Sequence, residues 1–392
     1  MNYEIKHLEK DLWKDHMIPL NYASEFYYDV EMKQKEDSFQ IELNKKRLDV
    51  PCEHKVEDYD FPDKLYQDWC DKACAWGIEE NGTLLAVIET AEESWNNRLR
   101  ITELWVDEKL RGKGIGHDLI EIAKDQARLE RKRAVVLETQ SNNANAIGFY
   151  MHEGFSLIGF DTISYSNQDV EKKEVRLELG YVMERKARLQ RSQIEIRPER
   201  ADEYKEVERI TQEAFWNRHG KGCNEHYLVH ILRDSEDYLP DLSRIAVVDG
   251  EIVGTIMFSK AQVRAENQVH DIITFGPLCV KPKWHGCGIG EMLMEETFDL
   301  ARKAGYPGIV IFGEPDYYPR VGFRTCDHFG ITTPDGKNFD AFMGYELQTD
   351  GFKDIHGKFY ESSVFEKLED EKVEEFTKKF PLMKKQYYPS QW

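Results

Sequence analysis

The stretch Arg111-Gly112-Lys113-Gly114-Ile115-Gly116 decides the fold, and the chain repeats it as His285-Gly286-Cys287-Gly288-Ile289-Gly290. Each copy follows an apolar run that predicts a β-strand, at 101–106 and at 272–280, and each opens a segment whose apolar residues recur at helical spacing. A strand that enters a glycine-rich turn at a helix N-terminus points several backbone N–H groups and the positive end of the helix dipole at one place. We therefore expect each loop to bind an anion, for which a pyrophosphate fits best.

The rest of the two halves follows one layout. Asn81-Gly82 and Asp249-Gly250 each stand between two β-rich apolar runs, and both dipeptides favour the positive φ angles of a tight hairpin turn. Downstream of each loop, Tyr150 and Tyr318 are both followed four positions later by a Gly-Phe pair. The two hairpin turns are as far apart along the chain as the two tyrosines. A repeat that keeps this spacing predicts two tandem domains.

The domain bounds follow from the length and from a change in composition. A chain of 392 residues is long for one core. A basic polar stretch at 185–193 is followed by an apolar run that restarts a strand at Ile194. We predict an N-terminal domain at 1–186, a linker at 187–193, a C-terminal domain at 194–365 and a C-terminal helical tail at 366–392.

The composition excludes several classes of function. A net charge of −20 makes a nucleic acid a poor partner and favours cationic small molecules, although solubility alone explains such a charge as well. The seven cysteines lack paired C-x-x-C spacing, and the chain shows neither an apolar leader nor an apolar run of transmembrane length. We expect a cytoplasmic protein with reduced thiols, no membrane partner and no bound metal. The oligomeric state stays open, with a homodimer compatible with the sequence.

A further pattern follows the first loop: Asn143, Ala146, Phe149 and Tyr150 precede the Gly154-Phe155 pair at fixed spacing. With this pattern the chain resembles the GNAT acetyltransferase superfamily in both halves. The first half is similar to the streptothricin acetyltransferases in particular, through the stretches 93–106, 133–141 and 171–181. The resemblance implies an α/β fold with two tandem GNAT-like domains, each a mixed, splayed central sheet flanked by helices.

The resemblance also implies acetyl-CoA as the cofactor and as the acetyl donor. Its pyrophosphate is expected on the loop N–H groups with help from Arg111 and Lys113, its pantetheine arm along the strand before the loop, and its far end near Asn143. The cofactor-binding residues expected in the first domain are Leu104, Trp105, Val106, Arg111, Gly112, Lys113, Gly114, Ile115, Gly116 and Asn143. Those expected in the second domain are Leu278, Val280, His285, Gly286, Cys287, Gly288, Ile289 and Gly290.

The transfer to an amine needs a base and an acid. An amine with a pKa near 10.4 must lose a proton before it attacks, and Glu103 and Glu138 are the candidate bases. Tyr150 is the candidate acid for the departing thiolate, and Tyr318 is its counterpart in the second domain. The alternatives are ion-paired strand-edge residues for the two glutamates and a core aromatic for Tyr150.

The acceptor implied by the resemblance is streptothricin, through the amino group of its β-lysine. Asp29, Glu31 and Glu93 would then line an acidic pocket, and Trp95 would stack on the antibiotic or its cationic groups. Another amine (a polyamine, an aminoglycoside or a protein N-terminus) is the enzymatic alternative. The non-enzymatic alternative is an acetyl-CoA-binding regulatory module.

The second domain departs from the pattern at three points. His285 and Cys287 replace the two cations of the first loop, and Pro315 and Pro319 are expected to shorten or break the helix that carries Tyr318. A working site, a domain that binds CoA without chemistry, and a purely structural domain are all compatible with this sequence.

Overall fold

A computed structural model describes residues 3–58, 62–184 and 186–391. It divides into two compact units, the first comprising Met1–Glu184 with Gln386–Ser390 and the second comprising Arg185–Lys385 with Gln391–Trp392. The described residues of the expected linker, 187–193, therefore belong to the second unit, and five residues of the expected tail belong to the first.

The first unit is built on a seven-stranded mixed sheet. Its strands, in chain order, are β1 (Lys6–Leu8), β4 (Cys74–Glu80), β5 (Thr83–Glu93), β6 (Arg98–Val106), β7 (Ala134–Gln140), β8 (Ser156–Asp161) and β9 (Arg176–Val182). The spatial order is β1-β4-β5-β6-β7-β9-β8. The pair β6–β7 is parallel, and the other neighbours are antiparallel. A separate two-stranded ribbon joins β2 (Tyr22–Lys35) to β3 (Ser38–His54).

Four α-helices accompany these strands: α1 (Lys10–Trp13), α2 (Ile115–Leu129), α3 (Ala144–His152) and α4 (Asp169–Lys172). Helix α2 lies against β5, β6 and β7. Its buried residues Leu119, Ala123 and Ala127 recur four positions apart, which is the periodicity that predicts the helix from sequence. Burial of a side chain such as Leu119 contributes about 1.5–3 kcal/mol, so this face holds α2 on the sheet.

The second unit repeats the arrangement around a nine-stranded sheet. Its strands are β10 (Glu195–Arg197), β11 (Arg244–Val248), β12 (Glu251–Arg264), β13 (Val269–Val280), β14 (Gly308–Phe312), β15 (Arg324–Thr325), β16 (Ile331–Thr332), β17 (Phe342–Glu346) and β18 (Gly357–Tyr360). The main order is β10-β11-β12-β13-β14-β17-β15, and β18 pairs with both β12 and β16. The helices are α5 (Tyr204–Phe215), α6 (Glu225–Leu232), α7 (Ile289–Lys303) and α8 (Asp370–Thr377).

Both predicted hairpin turns are confirmed. Asn81 and Gly82 have φ angles of 52° and 79° between β4 and β5, and Asp249 and Gly250 have 49° and 80° between β11 and β12. Positive φ at both central positions gives the turn the twist that flanking antiparallel strands require. The two tandem sheets therefore contain the same hairpin.

The C-terminal tail and the segment that carries Tyr318 contain little α-helix. Among the described residues of the expected helical tail (366–392), only Asp370–Thr377 forms an α-helix, and Pro381 disfavours its extension through residue 380. Tyr318–Val321 is a single 3₁₀ turn, as the nearby prolines predict. Further along the tail, the buried Tyr388 and the carbonyl of Tyr387, which accepts a hydrogen bond from Trp76 Nε1 at 3.0 Å, belong to the first unit.

Candidate active site

The first glycine loop has the geometry of an anion cradle. Gly112 and Gly114 adopt φ angles of 73° and 84°, and Gly114 is the N-cap residue from which α2 starts at Ile115. The first N–H groups of a helix have no partner within it, so those of the first turn of α2 are open to an acceptor. A Cβ added to Gly112 or Gly114 would meet no atom within 4 Å. The loop is therefore open on the side where a ligand could approach.

Gly116 has a different structural role from the other two glycines. A Cβ at this position would lie 3.1 Å from the ring of Phe149, so the glycine lets α2 and α3 approach closely. Helix α3 is itself started by Asn143, whose Oδ1 accepts a hydrogen bond from Ala146 N–H at 3.2 Å. The side-chain oxygen of Asn143 thus acts as a helix cap.

The two loops are tied to their strands in the same way. Arg111 Nε donates to the carbonyl oxygen of Val106 at 3.0 Å, and His285 Nε2 lies 2.7 Å from the carbonyl oxygen of Val280. In both units the first side chain of the loop thus reaches back to the last residue of the strand. Lys113 Nζ lies 6.0 Å from the ring centroid of Tyr3.

Strands β6 and β7 part before they reach the loop. Their parallel pairing covers Arg98–Arg100 and Ala134–Val136, whereas β6 continues to Val106 and β7 to Gln140. On its other side β6 stays paired with β5 as far as Val106. The backbone of Leu104, Trp105 and Val106 therefore has one edge in the sheet and one edge facing the gap. The side chain of Trp105 belongs to the core, so only its main chain is available for a ligand.

Glu103 is a buried carboxyl group at this parting of the strands. Its side chain is 7% exposed, and its register partner on β5 is Glu89. Burial raises the pKa of Glu103 well above its ordinary value, and the nearby charges of Asp63, Glu89 and Glu138 raise it further. A carboxyl group whose pKa is shifted towards neutrality has the affinity for a proton that a general base needs.

Glu89 is a functional candidate that the sequence argument missed. It is 1% exposed and accepts hydrogen bonds from the backbone N–H of Tyr66 at 2.5 Å and from the hydroxyl of Thr102 at 2.8 Å. Burial raises its pKa too, although these hydrogen bonds oppose the shift. Its position directly after the apolar run 84–88 on a predicted strand is the signal that could have found it.

Tyr150 has the core environment considered as its alternative. Its ring lies in the core on α3, 5.4 Å from the ring of Phe149 and 6.0 Å from that of Phe155. Burial raises the pKa of its phenol, and the charge of Glu103 raises it further. The phenol therefore keeps its proton at neutral pH within the electrostatic reach of Glu103.

Glu138 has the ion-pair environment considered as its alternative. It contacts Arg176 Nη2 at 2.5 Å and Arg100 Nη1 at 3.7 Å. Two guanidinium groups neutralise its charge and compete for its lone pairs. This arrangement favours Glu103 over Glu138 as the base.

The expected substrate residues also have partners. Arg98 and Arg100 each bind Glu93 at 2.6 Å, and although burial raises the pKa of Glu93, their hydrogen bonds bring it below its ordinary value. Asp29 and Glu31 lie on β2, where Lys46 Nζ contacts them at 2.5 and 3.1 Å. Trp95 is 86% exposed. The structure therefore connects Glu93 with Glu138 through Arg100, and it places Asp29 and Glu31 around Lys46.

The second unit keeps the loop and alters its surroundings. Gly286 and Gly288 have φ angles of 80° and 82°, and α7 starts at Ile289. The parallel pairing of β13 with β14 is limited to Ile273 with Ile309, so Leu278 and Val280 also lie beyond the parting of the strands. Cys287 points into the core, where burial raises the pKa of its thiol.

The aromatic pair after the second loop differs from the first unit. The rings of Tyr318 and Phe275 are 5.9 Å apart, and those of Tyr318 and Phe323 are 5.3 Å apart. The hydroxyl of the preceding residue, Tyr317, would lie 3.2 Å from a Cβ at Gly290. The second unit thus has the adjacent pair Tyr317 and Tyr318 where the first unit has Phe149 and Tyr150, and the hydroxyl of Tyr317 lies near the start of α7.

Comparison with known proteins identifies the family. The acetyltransferase (GNAT) family matches residues 42–155, and an acetyltransferase (GNAT) domain matches 241–325. The uncharacterized N-acetyltransferase YhbS of Escherichia coli K12 is 30% identical over 146 residues, which is 37% of this chain and 85% of that protein. The chain belongs to the GNAT family of N-acetyltransferases.

Two further similarities concern streptothricin acetyltransferases. The streptothricin acetyltransferase of Escherichia coli is 35% identical over 107 residues, covering 27% of this chain and 60% of that protein. The solved structure of a putative streptothricin acetyltransferase from Bacillus anthracis str. Ames, in complex with acetyl coenzyme A, is 23% identical. It covers 46% of this chain and all of its own, with a TM-score of 0.36.

Membership of an acetyltransferase family makes acetyl-CoA the cofactor of this GNAT enzyme, and the residues present fit it. Gly112 and Gly114 leave the loop open, α2 presents its first N–H groups, and the backbone of Leu104–Val106 borders a gap. These are the features that a pyrophosphate and an extended amide-bearing arm require.

Two other findings bear on ligands and partners. His117, Glu121 and Glu153 bring possible metal-binding atoms within 4.8 Å of one another, a group that sequence spacing did not indicate. Lys124 Nζ donates to Glu121 at 2.8 Å and to the carbonyl of Glu153 at 2.9 Å, so a cation is already supplied there.

Among the described residues, no helix of the acetyltransferase has the length and apolar character needed to cross a membrane.

Proposed function

We propose that the first unit transfers an acetyl group from acetyl-CoA to a primary amine of a cationic small molecule, the β-lysine amine of a streptothricin-type antibiotic. The buried Glu103 beside the parting of β6 and β7, within electrostatic reach of Tyr150, carries this proposal. The 35% identity with a streptothricin acetyltransferase supports the choice of acceptor. The activity would confer resistance to the antibiotic.

The residues divide the proton chemistry between them. The bound cofactor supplies an acetyl thioester. Glu103, once ionised, accepts a proton from the ammonium group of the acceptor, directly or through water, which frees the nitrogen lone pair for attack. Tyr150 holds a proton on its phenolic oxygen and donates it as the carbon–sulfur bond breaks and negative charge develops on sulfur. The backbone N–H groups of 104–106 that face the gap can stabilise the charge on the carbonyl oxygen.

The acidity of the site suits a cationic acceptor. Glu103 and Glu89 are buried register partners, and the charges that act on Glu103 are negative, so an ammonium group that approaches Glu103 lowers the energy of its ionised state. The acceptor thus favours the ionised form of the base that it needs. The proposal places the reaction in the cytoplasm, and all seven cysteines are free, as the redox state of that compartment requires.

Mass spectrometry after incubation of the full chain with acetyl-CoA and streptothricin tests the proposal. The expected product is mono-acetylated on the β-lysine amine, with one CoA thiol released per acetyl group. A polyamine, an aminoglycoside and a peptide with a free N-terminus form the control panel. Acetylation of a panel member in place of streptothricin would change the acceptor, and tight CoA binding without thiol release from any amine would favour the regulatory module.

A further inference from the structure

The second glycine loop has lost the cations of the first. Arg111 and Lys113 flank Gly112, whereas His285 and Cys287 stand at the equivalent positions around Gly286. The thiol of Cys287 is buried, and His285 Nε2 is engaged with the carbonyl oxygen of Val280. A diphosphate on this loop would meet backbone N–H groups without the charged side chains available in the first unit.

The segment before β10 runs along this loop within the second unit. The backbone N–H of Leu189 donates to the carbonyl oxygen of Cys287 at 2.9 Å, and Lys186 Nζ lies 4.7 Å from the ring centroid of Trp284. These contacts place two basic side chains, Lys186 and Arg188, beside a loop that has no lysine or arginine of its own.

Arg188 lies over the glycine that starts α7. A Cβ at Gly288 would be 3.1 Å from Nε of Arg188 and 3.2 Å from its Cζ, whereas the same atom at Gly114 would meet nothing within 4 Å. The Arg188 side chain is 58% exposed, so it lies at the rim of the loop and does not fill it. Its Nη1 contacts Glu291 at 2.5 Å.

This placement sets a cation against the positive end of a helix. The N-terminus of a helix carries partial positive charge and repels a cation. Glu291, in the first turn of α7, compensates at one edge of the guanidinium group. An anion between the helix N-terminus and Arg188 would be attracted by both, and the planar guanidinium can form paired hydrogen bonds with phosphate oxygens.

We propose that Arg188 is a phosphate-binding residue of the second unit, which replaces from outside the loop the cation that the loop has lost. The ligand is the diphosphate of CoA or acetyl-CoA. The inference depends on the family assignment of the second unit and is independent of the acceptor amine of the first.

Isothermal titration of the full chain with CoA, combined with hydrogen exchange, tests it. Wild-type protein should bind two CoA molecules, and CoA should slow amide exchange at the starts of both α2 and α7. Arg188→Ala should weaken one of the two sites about tenfold or more, as expected for a charge-assisted contact. Protection at the start of α7 should be lost in this variant, and protection at the start of α2 should be kept.

Arg191→Ala is the matched control. Arg191 belongs to the same segment and contacts Glu296 at 3.0 Å on α7, two turns from the loop, so its loss should leave both CoA affinities unchanged. Arg188→Lys should give an intermediate affinity, because it keeps the charge and loses the planar fork. Glu291→Gln should strengthen the second site by removing a competing carboxylate.

Three results would overturn the proposal. Absence of CoA-dependent protection at α7 in wild-type protein would show that the second loop binds no CoA. Equal CoA affinities in wild type and Arg188→Ala would show that Arg188 does not contact the bound CoA. Tighter CoA binding in Arg188→Ala would show that the side chain of Arg188 blocks the loop. Acetylation of streptothricin by the first unit would proceed in each of these cases, so failure here is distinguishable from failure of the proposed function.

Discussion

Glu89 and Glu103 are register partners on adjacent antiparallel strands, and both carboxyl groups are buried. Two carboxylates on neighbouring buried side chains oppose each other's ionisation, and burial itself also disfavours the charged form of each. Burial is the main cause that raises the pKa of each group, and the charge of Glu89 adds to the shift of Glu103. Glu89 has hydrogen bonds that favour its charged form, from the N–H of Tyr66 and the hydroxyl of Thr102. This asymmetry makes Glu103 the member of the pair with the greater affinity for a proton.

Glu103→Gln should remove the base. Because the pKa of Glu103 is raised, the wild-type rate should increase with pH as this carboxyl ionises and then level off. The glutamine variant should lose about a hundredfold or more in kcat and should also lose this dependence on pH. A pH profile of kcat/KM measures both effects. The matched variant Glu138→Gln alters an ion pair with Arg176 and should keep the acidic limb of the profile, which is the rise of the rate with pH at low pH. A larger loss of kcat in Glu138→Gln than in Glu103→Gln would assign the role of base to Glu138.

Glu89→Gln should shift the pH profile of kcat/KM and leave the maximal rate of acetyl transfer close to that of the wild type. Removal of the like charge lowers the pKa of Glu103, so the acidic limb should move to lower pH while the plateau rate stays close to that of the wild type. Glu92→Gln on the same strand is the control, because its partners are Lys72 and Lys132 and its charge does not figure in the pKa shift of Glu103. A limb that moves equally in both variants would mean that overall charge, and not the register pair, sets the profile.

Tyr150→Phe should lower turnover about ten- to a hundredfold with little change in CoA affinity, as expected when a general acid is lost. The substitution conserves the ring, which packs against Phe149 and Phe155, so the fold should be retained. Steady-state kinetics and CoA titration separate the two effects. An unchanged rate would assign the tyrosine to the core alone.

Local rules in the sequence account for much of the fold. The hairpins at Asn81-Gly82 and Asp249-Gly250 and the loops before α2 and α7 depend on positive φ angles, which few residue types adopt, so the sequence states them directly. The ribbon of β2 and β3 was not predicted, because most of its residues are exposed or half-buried and no buried apolar run marks its strands.

The site was only partly predictable for a related reason. Glu103 could be proposed from its position beside the loop. The burial of Glu89, however, depends on its partner across the sheet, and the ion pair of Glu138 depends on a side chain from β9. The place of Arg188 depends on a segment folding back on a loop a hundred positions away. Contacts between distant parts of the chain have no signature in local spacing.

The glycines of the first unit give a matched test of the loop conformation. Gly114→Ala introduces a Cβ that meets nothing within 4 Å but must adopt a φ of 84°, so it should cost about 1–2 kcal/mol of stability from backbone strain alone. Gly148→Ala, inside α3, also meets nothing within 4 Å and has helical geometry, so it should stabilise by about 0.5–1 kcal/mol. Thermal unfolding of the two variants should therefore shift the midpoint in opposite directions. CoA should leave the gap between the two midpoints unchanged if the Gly114→Ala loop binds it as tightly as Gly148→Ala does, and should widen the gap if the substitution weakens binding. Equal shifts of the two midpoints would show that the turn at Gly114 carries no conformational constraint.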